Sequence, residues 1–136
     1  MITTVLVLGC SAKKLRTPAP ARELYRGALF RKALAWGEAR FPGAAALVLS
    51  AKLGIVEIDR VIEPYDLSLN GMSSDEREAW GRSIERDLRS RFDVTTTRFI
   101  VCAGSKYCRP FARSPLVEYP MKNLPLGRAL KFFGSP

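Results

Sequence analysis

Three short apolar runs, each closed by a glycine or a small polar residue, divide the chain. Thr4-Val-Leu-Val-Leu8 ends at Gly9, Ala45-Ala-Leu-Val-Leu49 ends at Ser50-Ala51-Lys52, and Arg98-Phe-Ile-Val-Cys-Ala103 ends at Gly104. A strand with one wet face alternates apolar and polar residues. Unbroken apolar, β-branched runs have no wet face and predict strands of a parallel sheet covered on both sides. Val117-Glu-Tyr119 is a shorter candidate for a fourth strand.

Between these runs the period changes. From about Ala21 to Phe41, residues Leu29, Phe30, Ala33, Trp36 and Gly37 recur on one face, which predicts a helix stopped by Pro42-Gly43. Ser73-Ser-Asp-Glu76 is a capping box with acidic residues in the first turn, and it opens a helix whose inward face carries Trp80, Ile84, Leu88 and Phe92. Ser105 to Ala112 reads as a short helix interrupted near Pro110, and Leu126 to Phe133 as a terminal helix. Residues 53 to 72 lack helical periodicity and contain Gly54, Pro64, Asn70 and Gly71. They read as an ordered excursion with a short extended piece at Ile55 to Ile58, and loops this long within a domain are usually functional.

Strand and helix alternate, with crossovers longer than a dozen residues, so the expected architecture is a single α/β domain over residues 1–136. It is a three-layer α/β/α sandwich with a small, mainly parallel, Rossmann-like sheet of about four strands. Ligands of such sheets bind outside the carboxyl ends of the strands. Three loops meet there: Gly9-Cys10-Ser11-Ala12-Lys13-Lys14, Ser50-Ala51-Lys52-Leu53-Gly54 and Ala103-Gly104-Ser105-Lys106-Tyr107. Each joins small residues, which let backbone N–H groups approach a ligand, to a serine hydroxyl and a lysine suited to phosphate. Together they predict an anion pocket, although none is a Walker A loop or a GxGxxG fingerprint.

Composition then narrows the chemistry. The chain has no histidine, which removes Ser-His-Asp and Cys-His catalysis, imidazole bases and histidine-bound metals. Asp66, in Glu63-Pro64-Tyr65-Asp66, becomes the candidate general base or electrostatic stabiliser, and Tyr65 a stacking or hydrogen-bonding partner. An Asp that only bonds its own turn is the plainer reading. Tyr25 and Arg22, at the start of the first helix, lie within reach of the pocket, and Tyr25 serves equally well as a packing residue. Cys10, near two lysines and a helix start, is either a nucleophile or a thiol packed beneath the loop. Cys102 lies inside a strand and reads as inert. Three cysteines, an odd number without zinc spacing, fit reduced thiols rather than a disulfide framework. No metal or cofactor is called for.

The net charge of +9, from 22 Lys and Arg against 13 Asp and Glu, favours anionic partners such as phosphates or nucleic acid, with simple solubility as the bland alternative. No run approaches a membrane span or an export signal, so the expectation is a cytoplasmic protein without membrane association.

Taken together, Cys10-Ser-Ala-Lys-Lys14, Ala19-Pro-Ala-Arg-Glu-Leu-Tyr25, Gly27-x-Leu-Phe30, Leu49-Ser-Ala-Lys-Leu-Gly54 and Ile62-Glu-Pro-Tyr-Asp66 resemble a family of small uncharacterised bacterial, archaeal and phage proteins across almost the whole chain. More distantly, the Cys-Ser-x-x-Lys loop and the Ser-Ala-Lys-x-Gly segment look like those of the YaaA peroxide-stress proteins and of the archaeosine synthase catalytic domain. That resemblance implies a fold similar to uracil-DNA glycosylases, an association with nucleic acids and modified bases, and a site made of Cys10, Ser11, Lys13, Ser50, Lys52, Tyr65 and Asp66. The glycosylase water-activating motif and its histidine loop are absent, so uracil excision does not carry over.

The expected function is an enzyme acting on a nucleobase, nucleotide or nucleic-acid base, at an N-glycosidic bond or a base substituent. Its catalytic candidates are Asp66, Lys13 and Cys10. Its substrate-binding candidates are Ser11, Tyr25, Ser50, Lys52, Gly54, Tyr65, Gly104, Ser105 and Tyr107. The alternatives are a non-catalytic basic DNA- or RNA-binding protein and a nucleotide sensor.

Overall fold

A computed structural model describes residues 1–134. In chain order its elements are β1 (Thr3–Gly9), β2 (Ala19–Pro20), α1 (Ala21–Leu24), α2 (Ala28–Arg40), β3 (Ala45–Ser50), β4 (Gly54–Glu57), β5 (Val61–Ile62), α3 (Ser74–Arg91), β6 (Thr97–Cys102) and α4 (Leu126–Gly134). Short 3-10 turns lie at Leu69–Gly71, Ser105–Tyr107 and Arg109–Phe111.

The main sheet has the order β4-β3-β1-β6. β1 runs parallel to both β3 and β6, and β4 returns antiparallel beside β3. The registers Gly9↔Leu49 and Leu8↔Cys102 bring the carboxyl ends of all three parallel strands to one edge.

Along β1 the side chains alternate between two cores, as a period of two requires. Leu6 and Leu8 face Phe30, Ala33 and Leu34 of α2 and Phe133 of α4, whereas Val5 and Val7 face Ile84 and Leu88 of α3 and Phe111. All four β1 residues are essentially inaccessible, which is why the run carries no polar alternates. The result is the mixed α/β three-layer arrangement expected, with one antiparallel pair. No helix among the described residues is long and apolar enough to cross a membrane.

The α3 helix starts as its sequence predicts. Ser73 Oγ accepts the Glu76 N–H at 3.1 Å and the Glu76 carboxylate accepts the Ser73 N–H at 2.9 Å. One buried charge locks its far side: Glu85, 5 % exposed, receives Arg113 at 3.0 Å and Arg109 at 3.3 Å.

Three expectations are corrected and one is sharpened. The helix from Ala21 to Phe41 is broken into α1 and α2, because Tyr25 is extended at φ −81° and ψ 117° and pairs as a β-bridge with Lys14. The extended piece expected at Ile55 to Ile58 is present as β4, one residue earlier, and it pairs antiparallel with β3 because the turn between them doubles the chain back. Val117 to Tyr119 is no strand; only Glu118 bridges Ile100. The Ser105 to Ala112 segment forms two 3-10 turns, not a helix.

Candidate functional site at the carboxyl edge of the sheet

Where β1 ends, Cys10 N–H donates to Leu49 O at 3.2 Å, tying the first loop to the second. Gly9 sits at a close approach. A Cβ there would stand 3.2 Å from the Ala103 Cβ and from the Tyr107 ring. The bare backbone lets that ring lie against the strand end, and its hydroxyl meets Cys10 Sγ at 3.2 Å. Trp80 of α3 sets its ring edge-on to Tyr107, with centroids 5.9 Å apart, and its indole N–H donates to Ser50 O at 3.1 Å.

The loop after Cys10 then folds back on the first helical segment. Ser11 Oγ donates to Lys13 O and accepts the Gly27 N–H, both at 3.0 Å. Arg26 N–H donates to the same Lys13 carbonyl at 2.7 Å, and Leu15 N–H to Leu24 O at 2.9 Å. These bonds replace helical ones and hold residues 25–27 open, so that α2 starts afresh at Ala28.

Tyr25, fully buried, is thereby turned toward the site. Its hydroxyl meets the Tyr65 hydroxyl at 2.6 Å, and Ser50 Oγ donates to Tyr65 at 2.7 Å. Ser50 Oγ also accepts the N–H groups of Lys52 at 3.2 Å and Leu53 at 3.0 Å. With both lone pairs taken, its hydrogen has one direction left, toward Tyr65. Gly54, at φ +74°, closes that turn in a conformation that favours glycine.

Lys14 lies above this chain of hydroxyls. Its ammonium is 4.3 Å from the Tyr65 ring centroid and 5.9 Å from that of Tyr25. Partial burial lowers its pKa from the usual 10.5, opposed by the negative charges that Cys10 and Asp66 can carry nearby. Burial raises the hydroxyls of Tyr25, Tyr65 and Tyr107, which therefore stay protonated at neutral pH. Burial likewise pushes the Cys102 thiol up to about 12.

Six of the sequence candidates thus stand in three bonded groups at this edge: Cys10 with Tyr107, Ser11 with the loop, and Tyr25 with Tyr65 and Ser50. Lys13, Lys52, Asp66, Gly104 and Ser105 are exposed around it. Lys13 contributes its carbonyl, while the neighbouring Lys14 supplies the inward amine. Consecutive residues of an extended segment point opposite ways, and the bridge to Tyr25 decides which lysine faces in. Trp80, expected only as a core residue, is a second wall. Its bond to Ser50 has no sequence signal.

Two hollows flank the cluster. One, of about 280 Å³, is bounded by Cys10, Ser11, Gly27, Tyr107 and Leu126, and the uncapped start of α2 lies on its wall. The other, of about 230 Å³, runs along Tyr65 between Lys52, Arg60 and Glu63. The positive end of the α2 dipole and the Lys52–Arg60 pair make both suited to anionic groups. Among the described residues, no three Cys, Asp or Glu side chains gather as a metal site.

No curated protein and no solved structure is matched by the chain. Residues 5–135 match a family of unknown function, DUF6884, and the chain belongs to that family.

Proposed function

We propose that the chain is a histidine-free enzyme acting on a nucleobase, nucleotide or nucleic-acid base, and that Lys14, rather than Lys13, is its working amine. The observation that carries this reading is the half-buried Lys14 ammonium 4.3 Å above the Tyr65 ring, on the Tyr25–Tyr65–Ser50 hydroxyl chain. An amine with a lowered pKa is more readily deprotonated, so it can accept a proton or attack an electrophilic carbon at lower pH than a free lysine. Asp66, exposed at the rim and electrostatically coupled to Lys14, stabilises the positive charge that develops when a glycosidic bond loosens. The Lys52–Arg60 groove takes the phosphate.

Tyr65 acts in this scheme through its hydroxyl and as a platform for Lys14, since the amine occupies its ring. The likeness of the Cys10 to Lys14 loop and the Ser50 to Gly54 segment to those of YaaA proteins and archaeosine synthase supports the choice of a base-directed reaction. A thermal-stability screen of nucleosides, nucleotides and modified bases tests the reading. A ligand at a hundredfold excess over its Kd stabilises the fold by about 2.7 kcal/mol, a shift that Lys52→Ala is expected to reduce. No stabilisation by any base, nucleoside or nucleotide would count against it.

A further inference from the structure

A trough leads away from the Cys10 side of this site. The 280 Å³ hollow shares Ala103 and Gly104 with a hollow of about 710 Å³ that includes Lys122 and Arg109. That one shares Tyr119 and Leu124 with a groove of about 1040 Å³ between α2, α4 and residues 118–124. The groove is both aromatic and cationic. Trp36, Phe41 and Phe132 line it together with Arg40 and Arg128.

Phe132 is 42 % exposed although it packs 5.6 Å from Trp36, and the Arg40 guanidinium lies 6.0 Å from the rings of both Trp36 and Phe41. The one carboxylate lining the groove, Glu118, is already paired with Arg98 at 3.6 Å. Trp36 and Phe41 are half-buried, so Phe132 is the ring left exposed beside the arginines. An exposed ring next to cations suits unpaired bases joined by phosphates: every base has a face to stack, and the backbone follows the cations. A duplex keeps its base faces covered and offers only its phosphates.

We propose that this trough binds single-stranded nucleic acid, with bases on the Trp36–Phe132 groove and the backbone running past Lys122 toward Cys10. It makes a nucleotide within a strand, rather than a free nucleotide, the substrate of the edge site. That last step rests on the function proposed above, whereas the binding itself does not.

The test is fluorescence anisotropy with labelled single-stranded DNA and RNA of roughly a dozen nucleotides, a duplex of the same sequence and an acidic peptide. Single strands are expected to bind best, with affinity falling as salt rises. Arg40→Gln combined with Arg128→Gln is expected to weaken binding at least about tenfold and to flatten the salt dependence. Phe132→Ala is expected to weaken it about tenfold with the salt slope kept.

Circular dichroism checks that the variants fold, and the exposed arginine pair decides the case if Phe132→Ala does not. Absence of oligonucleotide binding, equal or tighter binding of the duplex or the peptide, or wild-type affinity in the folded arginine variant would overturn the proposal. Strand binding through the groove without any base or nucleotide chemistry would leave the binding standing and defeat the enzymatic reading together with the in-strand substrate that rests on it.

Discussion

The Lys14 ammonium stands 4.3 Å from the centre of the Tyr65 ring, while the hydroxyl of that same ring is held by Tyr25 and Ser50. Ring face and hydroxyl are therefore used at once, by a charge above and a hydrogen-bond chain behind. Burial shifts the Lys14 amine below 10.5, so its unprotonated fraction grows at lower pH than that of an exposed lysine. If the neutral amine does the work, kcat rises with pH along a limb whose midpoint lies below 10.5. Lys14→Arg, which cannot lose its proton, should abolish that limb, whereas Lys13→Arg should leave it in place. A pH–rate profile across the alkaline range measures this.

Ser50 has two jobs that one hydroxyl performs together. It caps the turn by accepting the N–H groups of Lys52 and Leu53, and it donates to Tyr65. Ser50→Ala leaves partly buried amides unsatisfied and should cost about 1–3 kcal/mol in urea unfolding. Tyr65→Phe keeps the ring under Lys14 but removes the acceptor. The two substitutions should be non-additive, with a coupling of about 0.5–3 kcal/mol in a double-mutant cycle. Strict additivity would mean that the bond carries no stability.

Acid sensitivity should trace to Glu85. Hydrogen bonds from Arg113, then from Arg109, hold its carboxyl below the usual 4.5 although burial opposes them. A lowered folded-state pKa means the unfolded chain takes up the proton first, so the stabilisation is full above 4.5 and is lost as pH falls through the lower folded value. Glu85→Gln should cost about 1–3 kcal/mol at neutral pH, since both arginines can turn to water. The gap from wild type should close in acid. Urea midpoints of both proteins across that range check the sign, and a gap that widens in acid would contradict it.

The parts of the fold legible in sequence are those that local pattern decides. The buried strands at Thr3–Gly9, Ala45–Ser50 and Thr97–Cys102 carry unbroken apolar runs, and Ser73 with Glu76 announces α3 through a motif that is satisfied within one turn. The carboxyl edge followed from the alternation of strand and helix, which implies a parallel sheet. The parts that were not legible depend on distant partners. Nothing near Tyr25 forbids a helix; the break comes from its bridge to Lys14 and from Ser11 taking the Gly27 N–H. The same bridge separates Lys14 from Lys13, two residues that composition cannot tell apart. The antiparallel return of β4 depends on the turn that Ser50 caps and Gly54 closes, whereas the apolar pattern of Gly54-Ile-Val-Glu57 fits either strand direction.

The central claim is that the edge site performs chemistry on a base or nucleotide through Lys14. Its most direct test is to incubate wild type, Lys14→Met and Asp66→Asn with nucleosides, nucleotides and single-stranded oligonucleotides carrying ordinary and modified bases, and to follow released or altered base by mass spectrometry. The account predicts product with wild type, loss of turnover in both variants, and ligand binding largely kept in Asp66→Asn. Product formation at the wild-type rate in Lys14→Met, or no product from any substrate despite tight binding, would contradict it.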